Sequence, residues 1–248
     1  KGITGLNLYE NLIINLRKSG IKINIFDDVE ADPSLKTLEK AISFGKETDA
    51  SGIIGFGGGS SMDVAKLTAL ILGSNENLEE AWGVGNAKGP RLPLILVPTT
   101  AGTGSEVTPV SIITVDGDEK RGVSSPLILP DFAILDPLLT VGLPASATAA
   151  TGIDAMVHAI EAYASKNANN NPISSLFAKE ALVLLGGSIS QSVLEPKNIE
   201  ARGKMILGSM LAGMAFANSP VAAVHALAYP LGGSYHITHG LSNALVLP

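Results

Sequence analysis

The sequence contains no cysteine. This excludes disulfide bonds, thiolate metal sites, cysteine-ligated iron–sulfur clusters and a cysteine nucleophile. Any chemistry must therefore use carboxylates, imidazoles, hydroxyls or backbone groups. Basic residues are also scarce, with 17 Lys and Arg against 23 Asp and Glu, and aromatic residues make up only 4% of the 248 positions. Because basic stripes and base-stacking surfaces are missing from the sequence, we expect no binding of nucleic acid or of an anionic membrane.

Charge disappears completely from the C-terminal part, since no Asp, Glu, Lys or Arg follows Lys204. Breaks at residues 218–220 and 230–233 leave apolar pieces shorter than the ~20 residues of a membrane span, so we expect buried helices and no membrane insertion. No apolar signal-like segment directs export, which predicts a cytoplasmic protein. The chain starts at Lys1 and stops just after an apolar run at residues 245–247, so we expect it to be incomplete at both ends.

The first part of the chain alternates short β-rich runs with runs of helical period. Residues 21–26 alternate apolar and polar side chains and predict a strand, while residues 94–97 are entirely apolar, as in a strand buried on both faces. Asp32 and the proline after it predict the start of a helix that runs to about residue 46. This alternation predicts a dinucleotide-binding α/β domain with a mainly parallel sheet over residues 1–143.

No strand pattern follows the Leu-Pro pair at residues 143–144. The remaining segments are rich in Ala, Leu and Met and have helical period. The change of pattern places a domain boundary near Pro144 and predicts a partial helical domain over residues 144–248. The predicted helices cover residues 145–166, 172–194, 199–217 and 221–229.

A glycine-rich turn joins a predicted strand at residues 53–56 to a predicted helix at residues 64–72. Glycines let backbone N–H groups approach a phosphate, and the helix dipole favours its negative charge. Ser60 and Asp63 also match a capping box, which would brace the turn with or without a ligand. The segment Gly57-Gly58-Gly59-Ser60 is neither the Rossmann fingerprint nor a P-loop. Phosphate binding and a purely structural turn are both compatible with it.

A second loop of small and hydroxyl-bearing residues, Pro-Thr-Thr-Ala-Gly-Thr-Gly-Ser-Glu, occupies residues 98–106 after the buried strand. Ligands of open α/β sheets bind beyond the carboxyl ends of the strands, so two such loops favour one shared nucleotide site. The loop contains no G-x-S-x-G motif, which excludes the nucleophile elbow of a serine hydrolase.

All the histidines lie in the predicted helical part. Asp154 and His158 are four positions apart, so on a helix they project from one face and can hold one cation. The alternative is a structural ion pair at the surface. The other histidines are His225, His236 and His239.

Fourteen positions separate His225 from His239. Pro and Gly between them should break the helix near residues 230–233, which predicts that the two imidazoles come from successive elements that fold back. One carboxylate and three imidazoles suit Fe²⁺ or Zn²⁺. We therefore predict that the metal ligands are Asp154, His158, His225 and His239. The predicted catalytic residues are these four together with His236. We assign His236 to proton relay or support of a ligand, the alternative being a surface histidine in a loop.

A phosphate loop beside a Lewis-acidic cation suggests hydride transfer between an alcohol or aldehyde and a nicotinamide cofactor. The residues also carry a resemblance: the chain resembles the iron-activated, group III alcohol dehydrogenases through five motifs that occur in order. These are residues 57–63, 98–106, Asp136-Pro137, the stretch from Ala150 to His158, and the stretch from His225 to Gly240.

The resemblance implies a dinucleotide-binding domain followed by a helical domain, with Fe²⁺ or Zn²⁺ on the four predicted ligands and NAD or NADP on the two loops. The glycine loop would contact the pyrophosphate, and the threonine loop would line the adenine-to-ribose part. The cofactor-binding residues concerned are Gly58, Gly59, Ser60, Asp63, Thr99, Thr100, Thr103 and Lys120. Taken without the resemblance, Lys120 is a solvated hairpin charge.

The resemblance further implies a homodimer acting on a small alcohol or aldehyde. Its first strand, which distinguishes NAD from NADP, would precede Lys1, and most of its helical domain would follow Pro248. Many members carry a histidine near the nicotinamide where this chain has Tyr229, so the proton relay would use Tyr229 or His236.

Three alternatives remain at the level of the sequence. A glycerol-dehydrogenase-like or dehydroquinate-synthase-like enzyme is the close one, although such proteins are expected to use a different ligand set. A nucleotide-dependent kinase would use the glycine loop, with Mg²⁺ on oxygen ligands. In a non-enzymatic fragment the Asp and His residues would be structural.

Overall fold

The computed structural model describes residues 8–115, 119–220, 222–235, 237 and 239–247. Within the described residues of its first part, α-helices and strands are interspersed as far as residue 84, and the later strands follow one another without an α-helix between them. The elements are α1 (Glu10–Lys18), α2 (Leu35–Glu47), β1 (Ile53–Gly57), α3 (Gly59–Ser74), α4 (Leu78–Ala81), β2 (Gly83–Val84), β3 (Leu94–Pro98), β4 (Val110–Thr114), β5 (Lys120–Ser124) and β6 (Phe132–Ala133).

The strands form two small sheets. One has the order β1-β3-β6 with all pairs parallel, and the other has the order β2-β5-β4, in which only β4 and β5 run antiparallel. In the first sheet Ile53 lies beside Leu94 and Gly55 beside Leu96. Leu94 and Leu96 are fully buried in a cluster with Met62 of α3. The predicted α/β architecture with a mainly parallel sheet is confirmed, and α3 follows β1 directly across the glycine-rich turn.

The strand predicted at residues 21–26 is wrong. This segment has no regular secondary structure and pairs with no strand in the described part of the chain. Ile21 and Ile25 are 49% and 46% exposed, so the alternating apolar side chains are not covered by a core. Alternation predicts a strand only where a neighbouring strand supplies backbone partners and a core covers one face.

The start of α2 also differs from the prediction, because Ser34 rather than Asp32 is the N-cap. The hydroxyl of Ser34 accepts a hydrogen bond from the backbone N–H of Thr37 at 3.3 Å. Asp32 has a positive φ of 52° and therefore belongs to the preceding turn. A hydroxyl directly before the helix outcompetes the carboxylate two positions earlier, since only a residue at the cap position reaches the free N–H groups.

Five helices make up the described part of the chain beyond residue 144: α5 (Ala145–Ala164), α6 (Pro172–Leu194), α7 (Ile199–Asn218), α8 (Ala223–Tyr235) and α9 (His239–Val246). The predicted bounds of α6 are confirmed, and those of α5 and α7 are within two positions. Small buried residues such as Ala155, Ala178, Ala181 and Ala212 let α5, α6 and α7 pack closely in one core. The division into domains at residue 144 stays a prediction.

The helix break predicted at residues 230–233 is wrong in position. Helix α8 continues through Pro230 to Tyr235, and α9 begins at His239. A proline removes one hydrogen bond and kinks a helix, but tertiary packing can hold both sides together, and α8 packs against α9 and α5. The expected consequence is nevertheless confirmed, since His225 and His239 lie on successive helices that fold back on each other.

By length and composition alone, α6 would be able to cross a membrane. Its residues Ala178, Ala181 and Leu185 are buried in the helical core against α5 and α7. Only 28% of its most apolar 18-residue stretch is buried inside the described structure.

Candidate metal and nucleotide sites

Helix α5 carries the first two predicted ligands on its inner face. Asp154 and His158 lie one turn apart, as their spacing requires, and are 2% and 6% exposed. The ring of His158 stacks on Phe216 of α7, with 4.6 Å between the ring centroids. The imidazole plane is therefore held by an aromatic ring from a neighbouring helix. The predicted alternative of an ion pair at the surface is excluded by this burial.

Four potential ligand atoms meet at one point between α5, α8 and α9. Nε2 of His158 and Nε2 of His225 are 2.9 Å apart, and Nε2 of His239 lies 3.5 Å from Oδ1 of Asp154. One ligand atom from each of the four residues lies within 4.8 Å of all the others. The structure thus brings together the four residues that the sequence singled out as metal ligands.

Glu161 is a fifth residue of this cluster, and sequence reasoning missed it. It lies on α5 three positions after His158 and is 5% exposed. Its carboxylate accepts a hydrogen bond from Nδ1 of His225 at 2.6 Å and another from the backbone N–H of Val224. A carboxylate can only accept, so the ring proton of His225 is assigned to Nδ1 and the lone pair of Nε2 faces the cluster. The available signal was an acidic residue inside an apolar helix, one turn beyond a predicted ligand.

The protonation of the histidines suits a cation. Burial lowers the pKa of His158 to about 4, against the opposing effect of Asp154, and burial also lowers the pKa of His225. Both imidazoles are therefore neutral at neutral pH, so protons do not compete with a cation for their lone pairs. One carboxylate oxygen and three imidazole nitrogens form a donor set that fits Fe²⁺ or Zn²⁺.

Two residues that the sequence favours for proton relay fall outside what the structure describes. His236 is not among the described residues. Tyr229 is part of α8, but its side chain is outside the described part of the structure as well. Their roles in proton transfer stay predictions.

The glycine-rich turn runs directly into α3, whose N-cap is Gly58. The helix begins five positions earlier than predicted, so the first-turn N–H groups belong to the glycine-rich segment itself. The capping box predicted for Ser60 and Asp63 is not formed, because Ser60 is already inside the helix and this helix end has no side-chain cap among the described residues. The N–H groups of this helix end are thus left for another acceptor.

The two predicted loops lie against each other. The backbone N–H of Thr99 donates to the carbonyl of Gly57 at 2.9 Å, and a Cβ atom on Gly59 would lie only 2.7 Å from Cγ2 of Thr103. Gly58, Ser60, Thr99 and Thr100 line an open cleft of about 1270 Å³, whereas Gly59 and Thr103 form the contact behind its wall. Residues of both loops thus share one cavity, which also extends along β1 and β3 to Ile53 and Pro93. Nucleotide binding in it stays a prediction.

Asp63 does not face this cleft. Its carboxylate accepts hydrogen bonds from the hydroxyl of Ser105 at 2.7 Å and from the backbone N–H of Ile112 at 3.0 Å. Nearby, the fully buried Lys66 donates to Ser105 at 2.8 Å, and burial lowers the pKa of Lys66 to about 8. Asp63 thus joins α3 to the second loop and to β4, which is a structural role that its place in the motif did not reveal.

Lys120 is not among the residues that line the cleft, although its partner Asp32 directly follows the lining residue Ala31. Its ammonium group pairs with the carboxylate of Asp32 at 2.6 Å and donates to the hydroxyl of Thr114 at 2.8 Å. This arrangement corresponds to the hairpin charge that the residues alone indicated.

The second loop also contacts the helix that carries Asp154. A Cβ atom on Gly102 would lie 2.8 Å from Cβ of Thr151, which precedes Asp154 by about one turn of α5. On its other side Gly104, with a φ of +60°, packs against the backbone of Gly213 in α7. The loop that borders the cleft is therefore wedged directly between α5 and α7 of the helical half.

These features define an α/β protein that combines a glycine loop at a helix N-terminus with a helical centre of one carboxylate and three imidazoles. Residues 1–137 match the family described as iron-containing alcohol dehydrogenase, and residues 148–248 match the C-terminal part of the Fe-containing alcohol dehydrogenase family. The chain belongs to the iron-containing alcohol dehydrogenase family.

Individual relatives agree with this assignment. The chain is 44% identical over 246 residues to long-chain-alcohol dehydrogenase 1 of Geobacillus thermodenitrificans, covering 98% of this chain and 62% of that protein. It matches the crystal structure of a 1,3-propanediol oxidoreductase with a TM-score of 0.94 and 37% identity, over 99% of this chain and 65% of the other. The chain thus spans less than two thirds of the length of these relatives.

A third relative is a sulfoacetaldehyde reductase from Bifidobacterium kashiwanohense, whose structure is a complex with NAD⁺. It is 34% identical, has a TM-score of 0.89, and is matched over 98% of this chain and 64% of its own.

Proposed function

We propose that the protein is a metal-dependent oxidoreductase that transfers hydride between a nicotinamide cofactor and a small alcohol or aldehyde. The observation that carries this proposal is the convergence of four ligand atoms within 4.8 Å, with two of the imidazoles held neutral by burial. The names of the relatives, which include an alcohol dehydrogenase and an NAD⁺ complex of an aldehyde reductase, support it.

Asp154, His158, His225 and His239 would hold the cation. A bound Fe²⁺ or Zn²⁺ would supply Lewis acidity at the oxygen of the alcohol or carbonyl substrate. Glu161 fixes the tautomer of His225, and Phe216 fixes the plane of His158, so two ligands are oriented before any cation binds. His239 is the most exposed of the four, at 36% of its side chain, and leaves the substrate an approach to the cluster.

The cleft beside Gly58 would take the cofactor, which we propose to be NAD or NADP. Backbone N–H groups at the start of α3 would bind its pyrophosphate, and Ser60, Thr99 and Thr100 supply hydroxyl groups along the same wall. We do not include Asp63, whose carboxylate is occupied by Ser105 and Ile112. Lys120 stays a proposed contact of the cofactor, since it pairs with Asp32 beside the lining residue Ala31.

The remaining predictions concern the whole protein. We propose a homodimer in the cytoplasm that binds neither nucleic acid nor membrane. A net charge of −6 supports the absence of nucleic-acid binding.

Anaerobic metal analysis, combined with NAD(H) and NADP(H) turnover on short alcohols and aldehydes, tests the proposed function. We expect about one Fe or Zn per chain and hydride transfer that a chelator abolishes and metal restores. A kinase would instead transfer phosphate with Mg²⁺ and tolerate removal of Fe or Zn. A protein that binds neither metal nor nicotinamide would contradict the proposal.

A further inference from the structure

Asn243 lies inside the cluster of metal ligands, although no motif or spacing in the sequence singles it out. It follows His239 by one turn of α9 and is completely buried. Its amide nitrogen Nδ2 donates to Oδ1 of Asp154 and lies 3.3 Å from Nε2 of His225 and 3.3 Å from Nε2 of His239. One amide group therefore faces ligand atoms from all three helices.

The amide cannot satisfy these neighbours equally. An amide nitrogen carries two hydrogens and offers no free lone pair, while it faces three potential acceptors. The lone pair of His225 Nε2 is assigned to this side because Nδ1 of the same ring donates to Glu161. The shortest of the three contacts is the one to Asp154, so the carboxylate is the principal acceptor.

The oxygen of the amide also indicates that the side chain is placed to serve Asp154. Oδ1 of Asn243 is buried and has no hydrogen-bond partner among the described residues. A buried acceptor that is left unpaired is destabilising, because it has lost its hydrogen bonds to water. In this position the oxygen of Asn243 has no hydrogen-bond donor among the described residues, while its nitrogen donates to the carboxylate of Asp154. Apolar residues would fill a helix contact without that cost.

We propose that Asn243 is a positioning residue of the metal centre, which holds the carboxylate of Asp154 towards the three imidazoles. A carboxylate without this donor is free to rotate about its last torsion and to turn away from the cluster. By joining α9 to α5 through Asp154, the amide also sets the position of His239, which precedes it on the same face of α9. This inference rests on the metal site of the proposed function.

The test compares metal binding by the wild-type protein with that by the variants Asn243→Ala and Asn243→Leu. Alanine removes the donor and leaves space, whereas leucine removes the donor and keeps most of the volume. Ser242→Ala is the matched control, because Ser242 is equally buried on the same helix, while its hydroxyl donates to the carbonyl of Ile237 and forms no hydrogen bond with a ligand residue in the described structure. Zn²⁺ affinity is measured against a chromophoric chelator, and Co²⁺ absorption reports the geometry of the ligands.

We expect both Asn243 variants to bind Zn²⁺ about 10–100-fold more weakly and to change the visible spectrum of bound Co²⁺. Ser242→Ala should match the wild type in both respects. Circular dichroism identifies variants that remain folded, and one folded donor-free variant is sufficient for the comparison.

Folded Asn243 variants with unchanged or tighter Zn²⁺ affinity would overturn the inference while leaving the proposed function intact. Tighter binding would mean that the amide competes with the cation. A wild-type protein without a stoichiometric metal would overturn the proposed function and this inference together, so the two failures are distinguishable.

Discussion

Nδ1 of His225 donates to the carboxylate of Glu161 across 2.6 Å, and this pair joins α8 to α5. The same carboxylate accepts from the backbone N–H of Val224. Helix α5 thus supplies two predicted ligands and the group that orients a third. The negative charge of Glu161 also makes Nε2 of His225 more basic, so its lone pair binds a cation more strongly.

Glu161→Gln is expected to weaken Zn²⁺ binding by about 10-fold or more. The glutamine oxygen can still accept from Nδ1, but without its charge the imidazole becomes less basic. Competition with a chromophoric chelator measures the affinity. Glu200→Gln is the matched control, since Glu200 is exposed on α7 and pairs only with Lys204 among the described residues. Equal affinities for the two variants would show that Glu161 has no effect on the metal centre.

Gly59→Ala is expected to weaken binding of the nicotinamide cofactor about 10-fold. The new Cβ atom would lie 2.7 Å from Cγ2 of Thr103 and must push the two loops apart at the cleft wall. The double variant Gly59→Ala, Thr103→Ser should recover most of the affinity, because serine lacks Cγ2 but keeps the hydroxyl that accepts from the N–H of Ser105. Fluorescence titration with NADH checks both steps, and a lack of recovery would disprove the steric explanation.

Glu106→Gln is expected to make the free energy of unfolding less dependent on pH. Burial raises the pKa of Glu106 to about 7, so the folded state holds its proton more tightly than the unfolded chain does. This stabilising contribution is complete below the ordinary pKa of 4.5 and is lost as the pH rises through about 7.

The size of the effect is at most about 1.4 kcal/mol for each unit of pKa difference. Urea unfolding of the metal-free protein is measured at about pH 5 and about pH 8. The free energy of unfolding should fall more between these pH values for the wild type than for Glu106→Gln. Because the histidines are the same in both proteins, their titration cancels from the comparison. Parallel curves for the two proteins would refute the expected pKa.

Zn²⁺ is expected to raise the melting temperature of the wild-type protein in a concentration-dependent way. A ligand that binds only the folded state stabilises it by about 2.7 kcal/mol at 100 times its Kd. His239→Ala should lose most of this shift and keep its metal-free melting temperature, since His239 is partly exposed at the start of α9. An undiminished shift in this variant, measured by calorimetry, would remove His239 from the ligand set.

The ligand cluster was predictable from the sequence because its geometry is mostly local. An i, i+4 spacing places Asp154 and His158 on one face of any helix, and a helix break between His225 and His239 brings their helices back together. The roles of Glu161 and Asn243 were not predictable, because they depend on which helix lies opposite, and local spacing does not specify that. The same dependence applies to Asp63, because its partners Ser105 and Ile112 come from distant segments, which its place in the motif does not show.

The fold was predictable where local pattern and burial agree. The apolar run at β3 is buried, and Asn171 caps α6 directly before Pro172, so both elements lie where the sequence indicated. Residues 21–26 have the alternation of a strand, but no strand pairs with them in the described structure. Ile21 and Ile25 are exposed, while Phe26 packs against the core beside α2. Pro230 favours the end of a helix, but the packing of α8 against its neighbours overrides this preference.

The wedge formed by the second loop limits how this protein can diversify. Its Gly102 and Gly104 meet Thr151 and the backbone of Gly213, and adding a methyl group at either glycine produces contacts shorter than 3 Å. The spacing between the nucleotide cleft and the ligand helix is thus set by main chain, which ordinary side-chain substitutions cannot adjust. Under the proposed function, adaptation to larger or smaller substrates would have to occur on other surfaces around the ligand cluster, because this wall fixes the spacing between the cleft and α5.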